Sequence, residues 1–124
     1  MKIHLCSVCY QVSIKTGNDN KPITCCEKEM TEFKKINQII SDDDNKHFPI
    51  VRKIGNFVTI TIEDNHPMLE VHKIEFILIK TNHGFLYKDI RNQEKAKAEF
   101  ILANDEKIVN IYVNCNVHSL SSLH

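Results

Sequence analysis

Five side chains of metal-ligating type constrain this chain more than any other feature: His47, His66, His72, Cys115 and His118. They serve one ion only if the fold brings residue 47, the 66–72 stretch and the 115–118 stretch to the same place. Structural zinc closes at four donors, whereas five donors leave an octahedral metal with one vacant position where chemistry can happen. Each histidine taken singly has an ordinary reading, as a hydrogen-bonded imidazole beside a core or a solvent-facing loop residue. Their combination carries the weight. Cys115 and His118 are close enough to share an ion across a turn, and His66 and His72 flank a loop bearing Pro67. The donor set is that of an iron enzyme with an open site.

A second, separate pattern lies near the N-terminus, where Cys6-Ser7-Val8-Cys9 and the adjacent pair Cys25-Cys26 bracket the turn-forming cluster Thr16-Gly17-Asn18-Asp19-Asn20-Lys21-Pro22. Val12 and Ile14 alternate with polar neighbours after the first pair, and Ile23 precedes the second. The pattern predicts a folded-back hairpin whose two short strands carry both thiol pairs to one end. Four sulfurs then surround one ion, zinc or iron, since spacing alone does not choose between them. The competing reading is two disulfides or unrelated free thiols. An odd count of five cysteines in a chain without a signal-peptide core favours metal over disulfides.

A length of 124 residues permits one modest domain, or a small domain with a knob too small to hold itself together by apolar burial. Metal binding would supply the folding energy such a knob lacks. Acidic and basic residues balance at sixteen each. That balance argues against a nucleic-acid footprint or a basic membrane-binding face. No apolar run is long enough to cross a bilayer, so a cytoplasmic protein is expected. The acidic and polar stretch within Lys34–Lys46 reads equally as a linker or a solvated loop.

Beyond His47 the pattern is one of strands. Val58, Ile60 and Ile62 fall on one face, with Thr59 and Thr61 on the other. Ile74–Ile79 is a more buried run, followed by an Asn82-His83-Gly84 turn and a return strand at Phe85–Tyr87. Glu99–Ala103 and Ile108–Val113 are separated by Asn104-Asp105-Glu106-Lys107. Short strands with regular turn signals predict an all-β sandwich. Along the last of these strands Val109, Ile111, Val113 and Cys115 are expected to share the apolar face. A thiolate is costly there without a compensating metal charge.

Lys46-His47 with Pro49, His66-Pro67-Met68 with His72, and Cys115-Asn116-Val117-His118 together resemble the superoxide reductase family. With Cys6, Cys9, Cys25 and Cys26, the chain is similar over nearly its full length to the two-iron members, the desulfoferrodoxins. The resemblance implies a desulforedoxin-like (rubredoxin-like) metal domain over 1–36, holding iron (zinc possible) with the four cysteines. It also implies an immunoglobulin-like β-sandwich over 37–124 holding the catalytic iron. His47, His66, His72 and His118 would be the equatorial nitrogens, Cys115 the axial sulfur, and the sixth position would be left for superoxide. Lys46 would guide superoxide inward and help hold a water for proton delivery; its bland alternative is a surface lysine. The implied activity is one-electron reduction of superoxide to hydrogen peroxide, with a rubredoxin-like electron donor and a homodimeric protein. The alternative from another class is a non-enzymatic electron-transfer or metal-binding module with coordinatively closed sites.

Three positions depart from the family pattern. Asn45 stands where a glutamate usually precedes the Lys-His pair, and an amide is a weaker ligand for ferric iron. Tyr10 and Glu27 stand where glycine commonly follows each cysteine pair, and a residue with a Cβ costs about 1 kcal/mol or more where positive φ is required. Ser119-Leu120-Ser121 follows His118 in place of glycine and an aromatic residue.

Overall fold

The computed structural model describes residues 2–33, 49–62, 68, 73–115 and 119–123. The chain divides into two compact units, Met1–Gln38 and Ile39–His124. All regular structure among the described residues is β. The linker stretch expected within Lys34–Lys46 lies outside them.

In the first unit β1 (Lys2–Leu5) is the central strand, flanked by β2 (Val12–Lys15) and β5 (Thr31–Glu32), and both pairings are antiparallel. A separate two-stranded ladder joins β3 (Thr24–Cys25) to β4 (Lys28–Glu29). The strands expected after Cys9 and before Cys25 are therefore present, but they do not pair with each other. The reason is local: the chain turns immediately after β1, with the Cys6 amide bonded to the Gln11 carbonyl and the Tyr10 amide to the Cys6 carbonyl. That turn closes β2 onto β1, and β5 takes the other edge. The apolar core of this unit is small, with Ile3, Cys6 and Met30 buried.

The second unit holds two sheets. One has the order β10-β7-β6, with β6 (Pro49–Ile54), β7 (Phe57–Ile62) and β10 (Lys97–Ile101). The other has the order β12-β11-β8-β9, with β8 (Ile74–Thr81), β9 (Phe85–Asp89), β11 (Ile108–Cys115) and β12 (Ser119–Leu123). Every neighbouring pair is antiparallel. Strand alternation fixes the inner faces: Val58, Ile60 and Ile62 from one sheet meet Ile77, Ile79, Ile111 and Val113 from the other in a shared buried cluster. This is the expected sandwich.

Two strands, β6 and β12, add to those read from the sequence. The β6–β7 hairpin turns at Gly55, whose φ of 58° is one that side chains with a Cβ rarely adopt. One facial assignment differs from expectation. Val109 is 50% exposed, because the β8–β11 register shifts between Ile108 and Asn110 and leaves it opposite no residue of β8. An unpaired residue breaks the two-residue period, so Val109 turns out while Ile108 packs on the core.

Candidate metal centres

The sulfurs of Cys6, Cys9, Cys25 and Cys26 all lie within 4.8 Å of one another. Cys9 and Cys25 are 3.7 Å apart, and Cys25 and Cys26 are 3.9 Å apart. A tetrahedral ion with metal–sulfur bonds of about 2.3 Å would separate its sulfurs by about 3.8 Å, so the four thiols fit a tetrathiolate metal. All are free of disulfides.

Local backbone geometry builds this cluster. The amides of Val8 and Cys9 both point at the Cys6 sulfur, at 3.4 and 3.5 Å. Those amides, that of Cys9 first, lower the Cys6 pKa to about 6. Cys25 moves the opposite way, to about 12, because its proton is held by the neighbouring sulfurs of Cys9 and Cys6 and by burial. The Cys26 thiol is also raised, chiefly by Cys9. One sulfur is thus ready as a thiolate, while further ionisation is resisted until a cation compensates the crowded negative charge.

The second thiol pair sits on a two-residue hairpin. Cys25 pairs with Lys28, and the two residues between them, Cys26 and Glu27, have φ of 52° and 62°. Positive φ at both central positions is what a type I′ hairpin requires, and glycine or asparagine usually supplies it. After the first pair Tyr10 has φ 64°. Both positions singled out in the sequence for lacking glycine, Tyr10 and Glu27, adopt the left-handed conformation that glycine would take without strain.

Of the second donor set only Cys115 is among the described residues. It ends β11, 1% exposed, in the cluster formed by the two inner faces. A thiolate in such an apolar setting would need a counter-charge, which a metal cation could supply. His47, His66, His72, His118, Lys46 and Asn45 lie outside the described residues. His83, which belongs to neither donor set, is a surface residue whose Nε2 lies 3.3 Å from Asp105. Sequence reasoning missed the contacts around Cys115: Asn114, buried just before it, donates to Glu75 at 3.1 Å. That pair is thirty-nine residues apart in the chain and has no spacing signal.

Two all-β units, one a small domain with a four-cysteine cluster and one a β-sandwich with a buried cysteine at the end of β11, define an all-β protein of the rubredoxin-like plus immunoglobulin-like kind. Residues 39–122 match the family model described as desulfoferrodoxin, and the chain belongs to that family. Membership implies iron as its metal. Curated relatives named desulfoferrodoxin homolog come from Archaeoglobus fulgidus and Methanothermobacter thermautotrophicus. The first is 28% identical over 97% of this chain and 94% of its own length. The second is 26% identical over 96% of this chain and 94% of its own length. Among solved structures, the superoxide reductase from Treponema pallidum superposes with a TM-score of 0.75 at 20% identity, covering 100% of this chain and 98% of that one. That likeness establishes a common fold.

Proposed function

We propose that this protein is a superoxide reductase, converting superoxide to hydrogen peroxide by uptake of one electron and two protons. The observation that carries the reading is Cys115: a buried cysteine at the end of an inner strand, within the 39–122 span that matches the family. The structural neighbour's name, superoxide reductase, and the four histidines in family order support it.

In this reading the metal domain spans 1–36 and the catalytic domain 37–124. His47, His66, His72 and His118 hold the catalytic iron through neutral imidazole nitrogens, and Cys115 holds it through its thiolate. When bound, ferrous iron supplies the electron that reduces superoxide. Neutral imidazoles and one thiolate would leave a ferrous site with a net charge of about +1, so the site attracts a small anion. Lys46 adds to that attraction and holds a water from which protons reach the reduced oxygen. The Cys115 thiolate would donate electron density to the iron, which favours electron transfer outward. A rubredoxin-like carrier restores the electron, the N-terminal cysteines hold a second iron, and the protein works as a cytoplasmic homodimer.

The test is product stoichiometry with the iron-loaded, reduced protein and a defined superoxide flux. One peroxide formed for every superoxide consumed, with no oxygen evolved, is the expected result. Oxygen evolution would indicate dismutation, and an unchanged rate of superoxide decay would indicate a closed metal site; either outcome refutes the proposal.

A further inference from the structure

The cysteine assigned to the iron stands one residue beyond a break in the β8–β11 ladder. Val113 faces Ile77 and Asn114 faces Phe76, but Cys115 faces Ile74, so Glu75 has no partner on β11. The break decides which side chains enter the core. Ile79 and Ile77 point inward in strict alternation, and an uninterrupted strand would next send the Glu75 carboxylate inward. The extra residue resets the period: Ile74 goes into the core with Cys115, and Glu75 turns its carboxylate to Asn114.

Glu75 is fastened at two points. Its carbonyl accepts from the Ile90 amide at 2.9 Å, and its Oε1 accepts from Asn114 Nδ2 at 3.1 Å. Asn114 is only 5% exposed, and its Oδ1 has no hydrogen-bond partner among the described residues. The bond to Glu75 is therefore the interaction that fixes the orientation of this buried amide. Removing that bond frees β8 to re-pair in the unbroken register, which would leave Cys115 on the inner face but set residue 75, in place of Ile74, opposite it.

We propose that Glu75 and Asn114 form a positioning pair that pins the β8 bulge and thereby keeps the apolar Ile74 side chain, and not the Glu75 carboxylate, opposite the Cys115 sulfur that would hold the iron. The inference rests on reading Cys115 as an iron ligand and adds two residues that touch neither substrate nor metal.

The experiment uses the full-length iron-loaded protein and its N114A, E75A, E75Q and C115A variants, each oxidised and examined by visible absorption. The wild-type spectrum minus that of C115A defines the sulfur-to-iron band of Cys115. N114A and E75A are expected to shift or weaken that band. They should also speed its bleaching by a chelator about tenfold or more, the usual scale for partners that orient metal ligands. E75Q keeps an acceptor oxygen and should retain the wild-type band. If N114A does not fold, the contrast between E75A and E75Q decides. An unchanged band and chelator rate in E75A or N114A overturns the positioning role, even where the unfolding midpoint falls. Failure of the underlying reading looks different, because wild type and C115A would then have the same spectrum.

Discussion

Replacing Tyr10 and Glu27 by glycine should tighten the N-terminal metal site. Both residues hold left-handed backbone, at φ 64° and 62°, immediately after the cysteine pairs. A residue with a Cβ pays about 1–2 kcal/mol there. Glycine removes that strain but brings back about 0.5–1 kcal/mol of unfolded-chain entropy. The net gain is roughly 0.5–1 kcal/mol per site. Tyr10 is 54% exposed and Glu27 is also exposed, so little packing is lost with either side chain. The two lie on separate turns, and their gains should nearly add to about 1–2 kcal/mol, a factor of roughly 5–30 in an equilibrium constant. Because a small metal domain folds as it binds, the gain appears as metal affinity. The assay is competition for zinc or iron between a chelator and wild type, Tyr10→Gly, Glu27→Gly and the double variant. Ser7→Gly, in the same turn but without positive φ, is the control and should weaken retention. Glycine variants that hold metal no better than wild type would refute the strain argument.

Lys46→Ala should slow superoxide capture and flatten its dependence on ionic strength; an unchanged second-order rate at low salt by pulse radiolysis would remove the steering role. Ile77→Ala opens a cavity at a fully buried position between the sheets and should cost about 2–5 kcal/mol, read as a lower urea midpoint. Glu106 is held below the usual carboxylate range, first by the Thr81 hydroxyl and then by the Ala103 amide. A depressed folded-state pKa contributes stability that is complete above the ordinary glutamate value and is lost as pH falls through the folded value. Glu106→Gln should therefore make the acid limb of the stability curve shallower, measured as urea midpoints from about pH 6 to pH 3. An acid limb as steep as wild type would show that this carboxyl is not coupled to folding.

Alternation was a reliable guide wherever a strand has one wet face. Val58, Ile60 and Ile62 read as an inner face and are one. It failed at Val109, because a register shift inserts a residue that a two-residue period does not register. It was silent for β6, where Ile50 and Val51 are adjacent and both partly exposed, and for β12, where serines and leucines carry a weak pattern. The tetrathiolate cluster was legible from cysteine spacing. The pairing of β2 with β1 was not, because the turn at Cys6–Gln11 is stabilised by backbone bonds that many sequences could make. The glycine positions of the family pattern pointed to the strained residues 10 and 27, since φ sign follows from the turn and not from the side chain that occupies it. The Glu75–Asn114 contact depends on a bulge and on two strands meeting, so no local pattern announces it.

The most direct test is a crystal structure of the iron-loaded protein with anomalous diffraction at the iron edge. Two iron peaks are expected. One should lie among Cys6, Cys9, Cys25 and Cys26. The other should be bonded to His47, His66, His72, His118 and Cys115, with its sixth position open to solvent or a small anion. A second peak lacking any of those five donors, or closed by a sixth protein ligand, would contradict the account.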